Sequence, residues 1–286
     1  MLRVAVPNKG SLSAPAIQLL SDAGYRVHRE HKALFAIDTA NDVQFVFLRP
    51  TDIARTVGSG VLDVGITGQD LLQAAGTDVS TKELLPLDFG VSRFFFAAPT
   101  GQVGALTELD GKRIATSFAP LVSAAAADLG IEVDVIELDG AVETAVELGL
   151  ADAIADVVET GASLREAGLQ TIGEPILRSE AVLVRGARDL PEDSEQAVEV
   201  LIQRLRGVLI ARQYVMMDYN CPTAALEDVR KITPGMEAPT VSPLDEQGWV
   251  AVRVMVPRHQ AQAIMDRLWA EGARAILVTP LEACRL

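Results

Sequence analysis

Apolar positions along the chain fall into short runs separated by stretches with helical spacing. Val4–Pro7 is a β-branched run, and beyond Asn8-Lys9-Gly10-Ser11 the apolar positions Ile17, Leu20 and Ala23 recur at helical intervals. Ser13 suits the N-cap of that helix, Pro15 its first turn and Gly24 its end. Val43–Leu48 is almost continuously apolar, as in a strand buried on both faces. A helix over Thr51–Val57 leads through Gly58-Ser59-Gly60 to a strand at Leu62–Thr67, and Gly68 opens a helix over Gln69–Ala75. A second series begins near Ser92–Phe96. It places strands at Arg113–Thr116, Val133–Leu138 and Ala153–Val158, helices at Pro120–Leu129 and Ala141–Leu148, and another helix start at Ser163.

This alternation predicts parallel α/β sheets, with material for two. The strand Glu180–Arg185 leads back to the first lobe, because no new strand–helix series follows it. Two crossings between lobes imply a cleft, where ligands bind. After an amphipathic connecting helix at Ser194–Arg212 the grammar changes. Strand Tyr214–Tyr219, helix Thr223–Lys231, strands Thr240–Leu244 and Trp249–Val256, helix His259–Glu271 and strand Ala275–Thr279 give the βαββαβ order of a ferredoxin-like module. The expected organisation is lobe I at 1–90 with about 180–211 returning to it, lobe II at 91–179, and the module at 212–286. No tandem repeat or low-complexity linker is visible.

Composition narrows the function. Lys and Arg number 25 against 39 Asp and Glu, a net charge of −14, so bulk attraction cannot hold a nucleic-acid backbone. Phosphates would need a few placed donors and a divalent cation. The acid excess lies in the first 211 residues, since 212–286 carries eight basic and nine acidic side chains. Cys221 and Cys284 match no metal or redox spacing and are expected to be reduced thiols. Three histidines, His28, His31 and His259, argue against a His-rich zinc site. The opening residues turn polar too soon for a signal peptide, and no apolar run nears the ~18 residues of a membrane span. A soluble, cytoplasmic protein is expected.

The chemistry concentrates between Glu143 and Leu164. An apolar strand ends in Asp156, and Glu159-Thr160-Gly161-Ala162-Ser163-Leu164 turns into a helix. Free backbone N–H groups and two hydroxyls at a helix start attract an anion, and Gly161 permits close backbone approach. Asp156 and Glu159 would repel phosphate but accept from hydroxyls, so a sugar phosphate meets both demands. Eleven acids and one base between Asp128 and Glu166 favour Mg²⁺ beside an anionic ligand. The same residues also fit a capped helix after a buried strand, with Asp156 merely solvated.

The segment resembles the signature of the ATP phosphoribosyltransferases, the first enzymes of histidine biosynthesis, with Ser163 where that family usually has Thr. The resemblance covers essentially the whole chain. It includes Val6-Pro7-Asn8-Lys9-Gly10, Leu48-Arg49-Pro50-Thr51-Asp52-Ile53, Gly58 to Leu71, and the βαββαβ tail, which marks the long, hexameric form. It implies an α/β fold with a two-lobed periplasmic-binding-protein-like catalytic core and a C-terminal ferredoxin-like regulatory domain. By resemblance, Glu159, Thr160, Gly161, Ala162, Ser163 and Leu164 hold the 5-phosphate of phosphoribosyl pyrophosphate (PRPP), and Asp156 its ribose hydroxyls. Lys9 and Arg49 neutralise pyrophosphate or ATP phosphates, and Asp70 and Leu71 line the nucleotide pocket with Lys9.

The resemblance further implies Mg²⁺ on the pyrophosphate, L-histidine as feedback inhibitor, AMP at the nucleotide site, and a homo-oligomer between dimer and hexamer. Ala238-Pro239-Thr240-Val241-Ser242-Pro243-Leu244 matches the effector motif, where the family often has Ser at the position of Ala238. Asp218, Asn220, Ala238, Thr240 and Ala275 fall at effector positions, with Asp in some relatives at the place of Asn220. Two other readings share parts of this pattern. A prephenate dehydratase-like enzyme would not need the phosphate turn, and a non-catalytic two-lobed small-anion sensor would bind without turnover.

Overall fold

Residues 1–28, 33–75, 80–138, 140–158 and 161–285 are described by the computed structural model, and they form three sheets. The chain opens with β1 (Leu2–Pro7), α1 (Ser13–Asp22), β2 (Phe35–Asp38), β3 (Val43–Leu48), α2 (Pro50–Gly58), β4 (Val64–Gly68), α3 (Gln69–Ala74) and β5 (Thr81–Pro86). It crosses to β6 (Ser92–Pro99), β7 (Arg113–Thr116), α4 (Ala119–Leu129), β8 (Asp134–Glu137), α5 (Thr144–Glu147), β9 (Ala153–Val158), α6 (Ala162–Glu166) and β10 (Leu169–Ser179), then returns through β11 (Ala181–Gly186). The long α7 (Glu192–Gln213) leads to β12 (Tyr214–Pro222), α8 (Leu226–Ile232), β13 (Thr240–Pro243), β14 (Trp249–Pro257), α9 (Ala261–Ala270) and β15 (Arg274–Pro280).

The first sheet has the order β2-β3-β1-β4-β11-β5, the second β10-β6-β9-β7-β8 and the third β13-β14-β12-β15. The first two sheets make the two lobes of a periplasmic-binding-protein-like core, and the third belongs to the βαββαβ module. Purely parallel sheets were expected for the lobes, but both are mixed. Parallel β3-β1-β4 is joined by antiparallel β11, and parallel β8-β7-β9 by antiparallel β6. The cause is the double crossing: the strand that follows each crossing, β6 and then β11, enters its sheet against the βαβ direction. The crossing segments bond to each other, Leu87 N–H to the Ala181 carbonyl and Ala181 N–H to that of Phe89, each at 2.9 Å. The helix expected over Ala141–Leu148 shrinks to α5, because Ala141 turns with φ 50°.

The same latch closes the base of each lobe. In the first, Arg3 lies one residue before the Val4↔Val64 pair. Its backbone N–H and Nε both donate to Asp63 Oδ2 (2.8 and 3.4 Å), and Nη2 donates to Oδ1 (3.0 Å). In the second, Arg113 stands likewise before Ile114↔Ala153 and binds Asp152 with the same three donors at 3.0, 3.2 and 2.9 Å. The Arg113 guanidinium and N–H hold the Asp152 carboxyl well below the usual range, at about 2. Bidentate, charge-assisted pairing of this kind also fixes strand register.

Helix α2 packs Ile53, Ala54 and Val57 onto the first sheet, each fully buried, which contributes about 1.5–3 kcal/mol per large side chain. The close fit requires glycine at two places. A Cβ on Gly65 would sit 2.7 Å from Ile53 Cγ2 and 3.0 Å from Val57 Cγ2, and one on Gly186 would overlap the Val57 carbonyl.

By contact density the chain divides into 1–18 with 26–198, and 19–25 with 199–286. In the second unit β12 alternates: Val215, Met217, Tyr219 and Cys221 are buried, sharing a core with Val229 of α8 and Ile264 and Leu268 of α9. The Thr233 hydroxyl donates to the Val229 carbonyl (3.0 Å), so it accepts from the Tyr219 hydroxyl at 2.7 Å. The other face of β12 carries Met216, Asp218 and Asn220. The C-terminal tail lies against α7, where a Cβ on Gly207 would overlap the Cys284 carbonyl. Both cysteines are free thiols. No helix among the described residues is long and apolar enough to cross a membrane.

Gly65→Ala should lower stability by about 2 kcal/mol, because the buried Ile53 and Val57 have no room to retreat. Urea unfolding followed by circular dichroism reads this directly, and an unchanged midpoint would contradict the packing described.

Candidate active site

Parallel strands present all their carboxyl ends along one edge of a sheet, where ligands of open α/β folds bind. Here the loop after β1, the start of α2 and the junction of β4 with α3 meet in one pocket. It is lined by Lys9 to Leu12, Pro50, Gly68, Asp70 and Leu71, by Gly90 and Ser92 from the crossing, and by Val157 of β9. Its volume is about 160 Å³, below the roughly 300 Å³ of a typical ligand pocket. It therefore has room for a base or a phosphate, and the rest of any nucleotide must lie in the open cleft.

Three of the residues singled out from sequence, Lys9, Asp70 and Leu71, thus converge. Arg49 is exposed at the N-cap of α2, immediately before Pro50. The Pro50 carbonyl accepts from the buried Thr67 hydroxyl at 3.0 Å, which ties the end of β4 to the start of α2. Gly68 is needed here not for a positive φ but for space, since a Cβ would overlap Asp70 Oδ1.

Asp156 is not in this pocket. It projects from the β9 face shared with Ile154 and Val158, opposite Phe95 on β6, whereas Val157 shares its face with Phe94. Asp156 Oδ1 accepts the Val157 N–H at 2.7 Å. Burial holds its carboxyl above the ordinary carboxylate range. The Val157 hydrogen bond opposes this, and the neighbouring Glu143 charge adds to it. Glu143 was read only as the first residue of the signature; its role beside Asp156 depends on a fold that brings the start of α5 to the end of β9.

Gly161 caps α6 with φ 69°, a left-handed conformation suited to glycine. The Arg165 N–H bonds to the Gly161 carbonyl at 3.2 Å, and helix geometry gives the N–H groups of Ala162, Ser163 and Leu164, in the first turn, no intrahelical acceptor. Ala162 and Ser163 are exposed, but the Leu164 side chain is buried in the lobe core, so only its backbone can meet a ligand. Glu159 and Thr160 lie outside the described residues.

Of the residues expected to hold an effector, Asp218, Asn220 and Thr240 fall on the outer face of the third sheet. Asp218 stands opposite Arg253, which in turn stands opposite Thr240. Arg253 Nε donates to Asp218 Oδ1 at 2.7 Å. Ala275, with φ 50°, occupies the irregularity between the Asp218↔Leu277 and Asn220↔Arg274 pairs. Ala238 is exposed just before β13.

A family model described as ATP phosphoribosyltransferase (HisG) matches residues 49–207, and one described as the HisG C-terminal domain matches 211–283. The chain belongs to the ATP phosphoribosyltransferase family. It is 54% identical over 287 residues to an ATP phosphoribosyltransferase of Streptomyces coelicolor and 55% identical over 286 residues to one of Pseudarthrobacter chlorophenolicus. Both matches cover 100% of either chain. Among solved structures it resembles a chain of the Thermotoga maritima ATP phosphoribosyl transferase (HisG:HisZ) complex. That match has a TM-score of 0.61 and 29% identity, and it covers 72% of this chain and 97% of that one. An ATP phosphoribosyltransferase is a transferase, so the sensor and dehydratase readings are set aside.

The residues expected to form the site fall into two groups flanking β9 rather than one cluster. Ser11, Leu12, Gly90, Ser92 and Val157 were not anticipated, because they are small or apolar and carry no chemical signal in sequence.

The raised Asp156 carboxyl has a consequence for stability. A group whose folded pKa is raised contributes stability below its unfolded value, and that contribution is lost as pH rises through the folded value. Once ionised, the carboxylate is therefore a net cost to the folded state. Asp156→Asn should unfold at higher urea than the parent at pH 7, with the difference closing toward pH 4, while turnover falls. A lower midpoint at pH 7 would contradict the burial of this charge.

Proposed function

We propose that the enzyme transfers the 5-phosphoribosyl group of PRPP to N1 of ATP, releasing pyrophosphate and forming N1-(5-phosphoribosyl)-ATP. This is the first committed step of L-histidine biosynthesis, carried out in the cytoplasm. The observation that carries the reading is the pair of half-sites at the carboxyl end of β9. On one side are Lys9, Asp70 and Leu71, on the other Asp156 with the Gly161 turn.

Each half-site suits one substrate. The backbone N–H groups of Ala162 to Leu164 fit the 5-phosphate, and Asp156 accepts from ribose hydroxyls. Lys9 in the pocket and Arg49 at its rim offset the charge of ATP phosphates and of the departing pyrophosphate. Leu71 packs against the base. Adenine N1 has a free lone pair, so its attack on ribose C1 needs no proton removed first. The C1–O bond to pyrophosphate breaks as the N–C bond forms, with inversion. The protein's work is positioning two polyanions and stabilising separated charge.

The family implies Mg²⁺. Among the described residues no three His, Cys, Asp or Glu groups converge on a point. The half-buried Asp156 beside Glu143 fits Mg²⁺ held by one or two carboxylates and substrate phosphates. When bound, the ion supplies Lewis-acid neutralisation of the pyrophosphate.

The C-terminal module is proposed to bind L-histidine as feedback inhibitor through Asp218, Asn220, Ala238, Thr240 and Ala275, in a homo-oligomer between dimer and hexamer. The Thermotoga chain leaves uncovered a share of this chain comparable to residues 211–283, which supports a function for that segment beyond catalysis. Because Arg253 already holds Asp218, a histidine ammonium must compete with a guanidinium there. AMP is proposed to compete at the Lys9–Asp70 pocket.

Pyrophosphate release should require ATP, PRPP and Mg²⁺ together and fall on addition of L-histidine. Arg49→Ala should lower kcat/KM about 100-fold with little change in unfolding midpoint. Release with either substrate alone, or none from folded protein, would overturn the assignment; release indifferent to histidine would overturn the regulatory part.

A further inference from the structure

Ser179 closes β10 at the point where the chain leaves the second lobe, opposite Ser92 of the other crossing. It is 5% exposed, yet its hydroxyl is fully engaged. The Asp70 N–H donates to Ser179 Oγ at 3.0 Å, and Ser179 Oγ–H donates to Asp70 Oδ1 at 2.9 Å. The start of α3 is sewn to the same crossing a second time. Gln69 N–H donates to the Glu180 carbonyl (3.1 Å), and Glu180 N–H donates to Gln69 Oε1 (3.3 Å).

We propose that Ser179 is a positioning residue for the nucleotide pocket: from the interlobe crossing it fixes the Asp70 carboxylate, so that ATP affinity depends on a hydroxyl outside the pocket lining. The proposal deepens the proposed function and rests on its reading of Asp70. A serine hydroxyl has one proton, and here it goes to Oδ1. Among the described residues no donor reaches Oδ2, which leaves that oxygen available to a ligand. Gly68 leaves room for this arrangement, since any Cβ there would overlap Oδ1. A carboxylate that shares a pocket with Lys9 repels phosphate, so its partner on ATP is a ribose hydroxyl or the adenine amino group. Without the Ser179 clamp Asp70 gains other rotamers, and each ATP bound must select one of them.

The test is isothermal titration of ATP, in parallel with KM for ATP and for PRPP. Ser179→Ala should weaken ATP about five- to tenfold and leave the PRPP KM within twofold. Ser179→Thr, which keeps the hydroxyl, should bind ATP like the parent, and Ser179→Val, of the same shape without it, like the alanine variant. That pair decides the matter even if Ser179→Ala folds poorly. In an Asp70→Asn background Ser179→Ala should add less than twofold, because the serine acts through Asp70. Unchanged ATP affinity in Ser179→Val overturns the proposal, as does an undiminished effect in the Asp70→Asn background. Unchanged affinity in Asp70→Asn itself overturns the reading of the pocket and this proposal with it.

Discussion

Everything the enzyme can do at its cleft depends on the shared direction of β1, β3 and β4 in one lobe and of β7, β8 and β9 in the other. Parallel pairing puts the loops after these strands on one edge, so residues far apart in sequence, such as Lys9 and Asp70, face the same space. Holding that arrangement requires α2 to press onto the sheet. The helix can do so because Gly65 and Gly186 offer no side chain where it lands. The site is therefore supported from beneath by the absence of atoms as much as by their presence.

Much of this was legible in sequence. Strand Val43–Leu48 has the expected limits because a nearly continuous apolar run has few alternatives, and Arg113–Thr116 and Ala153–Val158 keep theirs as well. β2, β5 and β10 were not anticipated. β5 reads Thr-Lys-Glu-Leu-Leu-Pro along a sheet edge, and β10 is interrupted by Gly173 and Pro175, where its register with β6 shifts. Such strands are stabilised by their neighbours rather than by their own pattern. At the site, a local feature survived translation into three dimensions: the turn expected to open a helix does so at Ala162, capped by Gly161. Partnerships over distance did not show. Ser179 lies 109 residues from Asp70, and nothing in either segment announces the other.

The third sheet shows a different limit. The segment of β12 reads as a strand from sequence, but nothing there shows that Asp218, on the face opposite the core, is already paired across the sheet with Arg253. A motif identifies the residues at an effector position without saying what occupies them in its absence. Any ligand taken up there displaces an existing contact, so its affinity is the difference between two pairings rather than the strength of one.

The twin latches allow the lobes to be laid over one another residue by residue. With Val4↔Val64 matched to Ile114↔Ala153, Thr67 in the first lobe falls where Asp156 stands in the second. The scaffold is symmetric and the chemistry is not. Thr67 is buried and neutral, its proton committed to the Pro50 carbonyl, while Asp156 is a half-buried carboxyl group. Equivalent strand positions thus differ in character, one closed by a buried hydroxyl and the other carrying a carboxyl group. That asymmetry is built in before either substrate arrives.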